Sequence, residues 1–294
     1  KKILVFQICF SALVYVSAFW PIVDIFKGRP SNDMALHFYR WSGTYGYPSD
    51  FSFFLSFFIF YYFSLYARRI AMSWKSIALI IMTILALFMT FSRGGIFSTL
   101  GVLGVLFWLT GAKKRKTSYL ILITSFVGIL GIFLIFSDKF QQVSYILQVF
   151  GNDSSGVDGS TGHRLHELSL AKEYAGKIPP FSLGANRVEL ATRISIIESF
   201  YGYHLIKFGA LGLFFAIMCK TLIAAACIWI YKTYKENLII SGVAFAVAGL
   251  VMSELLFFGY SSAITDRFKT LPTFYLLTGY ILYFLFQRKN RQHE

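Results

Sequence analysis

The chain has 294 residues, of which 56% are hydrophobic and only 14% charged, with a mean hydropathy of +0.60. Soluble domains carry about 25% charged residues, so the composition excludes a soluble globular class and indicates an integral membrane protein. The formal charge of +14 does not mark a nucleic-acid binder. The basic residues sit in short clusters between apolar runs, as the positive-inside rule produces.

A helix needs about 20 apolar residues to cross the hydrocarbon core. In chain order, eight segments reach or approach that length: 3–20, 51–67, 76–91, 94–110, 118–137, 203–231, 238–258 and 271–286. The fold class is therefore an all-α polytopic membrane protein with about eight transmembrane helices. Residues 1–137 hold helices one to five, with a short external loop at 21–50. Residues 138–202 form one large polar loop. Residues 203–294 hold helices six to eight and a tail. The third and fourth spans are separated only by Ser92 and Arg93 and read as an interrupted hairpin. The sixth is longer than a crossing needs, so its first turns are expected to project or tilt.

The chain opens as Lys1-Lys2 before an apolar run, like a signal peptide, but no small-residue cleavage site follows. Further N-terminal helices are expected to precede it. Cys9, Cys219 and Cys227 all lie in apolar runs without disulfide or zinc spacing, and are expected as small buried hydrophobes.

Lysine and arginine in short loops set the orientation. Arg68, Arg69 and Lys75 follow span two, and Lys113, Lys114, Arg115 and Lys116 follow span four. Lys232 and Lys235 follow span six, and Arg288, Lys289 and Arg291 form the tail. With Lys1 and Lys2 inside, all of these fall on the cytoplasmic face under eight crossings. Both termini of the chain are then cytoplasmic, and segments 21–50, 138–202 and 259–270 lie on the other face.

The 138–202 loop has internal order. Its 154–162 stretch is rich in Gly, Ser and Asp and reads as a turn region. Thr161 can cap a helix at 163–175, with Leu165, Leu168 and Ala171 along one face. Gly176 and Pro179-Pro180 end it. A second helical pattern leads from Asn186 into span six. No internal repeat is visible.

Arginine presents a planar fork of donors that matches phosphate oxygens, and the external segments carry several. Arg93 lies between two apolar spans, where a charge is costly and marks function by default. The alternative is a snorkelling side chain at the membrane surface. Arg164 follows His163, and its bland reading is a solvated helix face with a local Arg164–Glu167 pair. Arg187 and Arg193 flank Glu189, and Glu189–Arg193 is a good i,i+4 ion pair in its own right. Arg40 sits just ahead of span two, where it can equally be an interfacial anchor. His163 and His166 have a metal-compatible spacing but no third ligand is evident, so no metal and no cofactor is expected.

Glu198 and His204 bracket the start of span six, and either could be a general base. Desolvation among aromatic neighbours would raise a carboxylate toward a useful pKa. Glu254, inside span seven, either pairs with Arg267 or Lys269 or lines a pathway.

These residues resemble the O-antigen ligase/polymerase superfamily of bacterial surface-polysaccharide assembly. Four pieces match in order over about residues 36–217. Arg40-x-x-Gly43…Pro48 ahead of a span resembles that family's Arg-x-x-Gly-x-x-x-x-Pro element. Ser92-Arg93-Gly94 resembles its Ser-Arg-Gly hairpin. Gly162-His163-Arg164-Leu165, then a helix, Pro179 and Leu183-Gly184, is similar to its external loop. Glu198-Ser199-Phe200-Tyr201 followed by Gly209-Ala210-Leu211-Gly212 is similar to its loop exit. Ligases of the group usually carry His-Asn where this chain has Glu198-Ser199, and an acidic residue there suits the polymerases better.

The resemblance implies a GT-C-like fold, N-terminally incomplete here, in the bacterial cytoplasmic (inner) membrane with its site on the periplasmic face. It implies a glycosyltransferase that polymerises undecaprenyl-pyrophosphate-linked repeat units into O-antigen or capsular polysaccharide. Donor and acceptor glycans on that lipid, the bilayer, a chain-length regulator and a flippase are the implied partners. Glu198 would be the base, with His204 as its rival. Arg40, Arg93, Arg164, Arg187 and Arg193 would hold pyrophosphate. A ligase acting on lipid A core or another acceptor is the same-chemistry alternative. A transporter or flippase of lipid-linked sugars is the different-class alternative, and it would carry charges inside its spans.

Overall fold

The computed structural model describes residues 1–13, 22, 25, 41–45, 47–68, 70–90, 92–109, 166–167, 169–173, 199–256, 259 and 271–291. Among them the regular structure is helical throughout, with no strand. The elements are α1 (Lys2–Ala12), α2 (Pro48–Ala67), α3 (Trp74–Met89), α4 (Arg93–Leu109), α5 (Phe200–Thr233), α6 (Leu238–Leu256) and α7 (Leu271–Arg291). Helical residues also lie at 166–167 and 169–173. Three helices, α2, α5 and α6, are long and apolar enough to cross a membrane, while α1, α3 and the apolar part of α4 are shorter. The span expected at 118–137 lies outside the described residues.

Local chemistry starts each helix. Pro48 opens α2, where its missing N–H is no loss, and Asp50 lies in the first turn, favourable to the helix dipole. Ser73 caps α3 by accepting from the Ser76 N–H at 3.3 Å. Ser92 accepts from the Gly95 N–H at 3.3 Å as α4 begins. Ser199 accepts from the Gly202 N–H at 3.2 Å as α5 begins.

α6 is the central helix and packs against α2, α4, α5 and α7. Small residues allow this. A Cβ on Gly242 would meet the Tyr61 ring at 2.6 Å, and one on Gly249 would meet the Phe60 ring at 2.5 Å. Ala244, Ala246 and Ala248 are fully buried between them. Without a hydrophobic force between helices in lipid, close approach and dispersion contacts supply the association, and small side chains permit it.

A hydroxyl seam joins α2 to α4. Ser56 and Thr99 share a hydrogen bond at 2.6 Å, and Ser52 donates to Ser92 at 3.3 Å. A Cβ on Gly95 would lie 2.1 Å from Ser52 Oγ. By contrast, α5 faces outward, with Phe214, Phe215, Leu222 and Trp229 exposed. So much contiguous apolar surface is foreign to a soluble monomer and natural against lipid.

The long sixth segment neither simply projects nor simply tilts. α5 runs 34 residues but breaks at Gly209, whose φ of 69° and ψ of −175° belong to a region essentially closed to other residues. A straight helix would hold Phe200 and Lys220 about 30 Å apart, yet the Lys220 amine lies 4.9 Å from the Phe200 ring centre. The first limb, 200–208, therefore folds back along the second. The limb from Ala210 to Thr233 alone can cross a hydrocarbon core of ~30 Å.

Contacts sort the polar residues by end. At one end Lys1 donates to Ser76 at 3.1 Å, Arg68 donates to the Tyr231 and Lys235 carbonyls, and Tyr234 donates to the Phe284 carbonyl at 2.9 Å. This basic end gathers Lys1, Lys2, Arg68, Lys75, Lys232 and Lys235, and α7 continues past Phe284 toward Arg288, Lys289 and Arg291. The start of α2, the α3–α4 turn, Ser199 and Gly259 lie at the opposite end. Of the cysteines only Cys227 is buried, and Cys9 and Cys219 lie on exposed helix faces.

Candidate functional site

Two polar constellations occupy the end opposite the basic one. The first is built on the 41–45 turn. Gly43 takes a φ of 56°, left-handed backbone suited to glycine, and donates its N–H to Ser11 at 2.9 Å. Gln7 clamps Thr44 twice, through Oγ1 at 2.8 Å and the backbone N–H at 2.9 Å. The Trp41 N–H donates to the Met89 carbonyl at 2.9 Å. That bond joins the turn to the α3–α4 hairpin, where Thr90 Oγ1 accepts from the Ser92 N–H at 3.1 Å and Arg93 opens α4. Ser42 Oγ is buried there with no hydrogen-bond partner among the described residues. Burial, reinforced by the Asp50 carboxylate, holds the Tyr45 phenol above its ordinary pKa.

The second constellation lies where the polar loop meets α5. Glu167 is fully buried and accepts from the Ser199 N–H at 3.1 Å. Ser199 Oγ donates to the Gly259 carbonyl at 3.1 Å, and the Tyr201 hydroxyl donates to the Leu255 carbonyl. Leu170 and Ala171 are buried beside them. The solvated face expected at Glu167 is thus an interior one. A carboxylate at a helix start satisfies otherwise orphaned N–H groups and the positive end of the dipole.

His204 stands one turn into the first limb. Its Nδ1 lies 2.9 Å from the Phe200 carbonyl, and its ring packs at 4.4 Å from Phe200. A carbonyl only accepts, so Nδ1 carries the proton, and in the neutral ring Nε2 carries the lone pair. That is the tautomer a general base needs at Nε2.

Beneath this second cluster lies the pair Lys220–Glu254, at 2.5 Å and almost fully buried. The sequence left Glu254 either pairing with Arg267 or Lys269, which lie outside the described residues, or lining a pathway. The described partner of Glu254 is Lys220, within α5. Sequence reasoning passed over Lys220, although a lysine amid Phe214-Phe215-Ala216-Ile217-Met218-Cys219 and Thr221-Leu222-Ile223 is as conspicuous as Glu254. An apolar cavity of about 220 Å³ adjoins the first constellation through Tyr45, and its wall also includes Phe274, whose ring flanks Lys220.

Of the residues expected to act, the described structure places His204 with its side chain, and Arg93 by its backbone at the start of α4. Arg40, Arg164, Arg187, Arg193 and Glu198 lie outside the described residues, each flanking a described segment or in the loop between them. Among the described residues no three His, Cys, Asp or Glu side chains gather as a metal site. No known protein-family model matches the chain, and no curated protein matches it.

Proposed function

We propose that the chain is a membrane glycosyltransferase that polymerises undecaprenyl-pyrophosphate-linked repeat units into O-antigen or capsular polysaccharide. One observation carries the reading. The turn bearing Gly43, just ahead of Pro48, and the hairpin bearing Ser92 and Arg93 meet through the Trp41–Met89 bond, at the end of the bundle away from Lys1, Arg68, Lys232 and Lys235. These are the first two pieces of the family resemblance, and they adjoin an apolar cavity suited to part of a lipid.

In this reading the acceptor hydroxyl attacks the anomeric carbon of the donor glycan, and lipid pyrophosphate leaves. Glu198 takes the hydroxyl proton. Arg93 and Arg164, with Arg40, Arg187 or Arg193, meet the charge that develops on the leaving group, the form of stabilisation that fixed donors supply best. Metal is not needed where arginines do this. The basic end faces the cytoplasm, and the site faces the periplasm or exterior.

The test is polymerisation of purified lipid-linked repeat units by the purified chain. Glu198→Gln should lower turnover by about 10²–10⁴-fold, as loss of a positioned base does. If that variant keeps wild-type turnover while His204→Ala abolishes it, the base is the histidine; absence of polymer from the wild-type chain, with transfer of a preformed glycan to another acceptor, would make it a ligase.

The buried Lys220–Glu254 pair favours a second reading, a transporter or flippase of lipid-linked sugars, because ionisable groups inside spans often mark a pathway. Translocation of lipid-linked sugars across vesicles, without formation of new glycosidic bonds, would establish it.

A further inference from the structure

The basic end contains a pocket that the reading above leaves unused. It lies between the end of α2 and the turn joining α5 to α6, has a volume of about 490 Å³, and is lined by Arg68, Ile70, Tyr231, Lys232, Lys235 and Leu238. Among the described residues, no acidic side chain lines it. The nearest carboxylate in sequence, Glu236, is exposed and forms no described salt bridge.

Arg68 makes this pocket fit for an anion. Its guanidinium lies 4.3 Å from the centre of the Tyr231 ring and donates to the Tyr231 and Lys235 carbonyls. The last carbonyls of a helix carry partial negative charge and repel anions. Here the Tyr231 carbonyl in the last turn of α5 and the Lys235 carbonyl in the turn that follows are covered by a cation held in one orientation. Arg68 thereby becomes a fixed positive wall. Lys232 and Lys235 are exposed, with no acidic partner among the described residues, and both amines can turn toward a guest.

The surface beside the pocket identifies the class of guest. Ile70 and Leu238 give the pocket apolar sides. Below Lys232, α5 exposes Trp229 and Leu222, an interfacial aromatic followed by a surface for acyl chains. Basic pockets between helices at the cytoplasmic membrane surface bind lipid head groups. We propose that this pocket seats the phosphate of an anionic membrane lipid, with Lys232 and Lys235 as donors and Arg68 as the fixed wall. The inference does not rest on the glycosyltransferase reading.

The experiment is native mass spectrometry of the full chain, released from detergent with added phosphatidylglycerol or phosphatidylcholine. The wild type should retain phosphatidylglycerol in preference to phosphatidylcholine. Lys232→Gln/Lys235→Gln should weaken that retention on the order of tenfold. The control, Lys2→Gln/Lys75→Gln, removes the same charge from the same end outside the pocket and should leave retention unchanged. Equal loss in both double variants would reduce the effect to general surface potential and overturn the proposal. So would equal retention of the two lipids. Inorganic phosphate that binds alone with the same two-lysine dependence and displaces phosphatidylglycerol would make this a soluble-anion site, which also overturns it.

Discussion

Lys220 and Glu254 meet at 2.5 Å across the α5–α6 interface, and the lysine amine lies over the rings of both Phe200 and Phe274. The carboxylate thus balances a cation that also holds the folded-back limb of α5 and the first turns of α7. Removing one partner strands the other in an apolar interior, typically costing about 3–5 kcal/mol, whereas replacing both with apolar residues can be neutral. Lys220→Met and Glu254→Leu should each lower the melting temperature in detergent sharply, and the double variant should recover most of the loss. Additive losses in the double variant would show that the pair is not coupled.

Gly209 should tolerate no side chain. Its backbone lies in a region open essentially to glycine, where other residues cost about 1–3 kcal/mol. Gly209→Ala should destabilise the protein by that amount and loosen the contact between Phe200 and Lys220. An unchanged melting temperature would mean the bend is not held by this residue.

Gly249 is the tightest point between α6 and α2, where an added Cβ meets the Phe60 ring at 2.5 Å. Overpacking typically costs about 1–3 kcal/mol. Gly249→Val should therefore melt earlier, while Gly279→Val, at a position with nothing within 4 Å, should not. Thermal unfolding of the two variants side by side decides it.

Charge alone should not suffice at Arg93. A lysine presents a point charge and cannot reproduce a two-pronged phosphate contact, so Arg93→Lys should lose most activity in the polymerisation assay. Truncating one partner of such a pair costs on the order of 2–5 kcal/mol. Near-normal polymer length in cells carrying Arg93→Ala, at matched protein level, would remove Arg93 from the mechanism.

Topology is testable without knowing the activity. A membrane-impermeant thiol reagent on intact cells, with any outer barrier permeabilised, should label Ser155→Cys in the polar loop but not Lys75→Cys at the basic end. The native Cys9 and Cys219 are replaced by Ser in both. The opposite pattern would invert the proposed orientation.

Among the described residues the helices and their limits were legible, because apolar runs and their breaks at Ser92-Arg93 and Pro48 are one-dimensional signals, whereas only three of these helices reach crossing length. The fold-back at Gly209 was not, since one glycine in an apolar run reads as a tolerated residue. Lys220 was not legible as a buried partner, since a lone lysine in a long apolar run can snorkel to the surface, although its cost inside a span is comparable to that of Glu254. Glu167 escaped for a different reason. Its i,i+3 neighbour Arg164 supplies a sufficient local partner on paper, and burial against Ser199 is a long-range fact that no local pattern encodes. The arginines of the candidate site were chosen for their chemistry, and the described structure seats the backbone of one of them, Arg93.

The Glu167–Ser199 bond has a consequence for how this protein can vary. It holds the Glu167 side chain and the Ser199 backbone, which flank residues 168–198 in the chain, at 3.1 Å. For a loop between fixed ends, doubling the number of residues costs only about 0.6 kcal/mol in closure entropy. Insertions between residue 174 and Ser199, beyond the buried Leu170 and Ala171, should thus cost little in folding, while the helix that follows keeps its place.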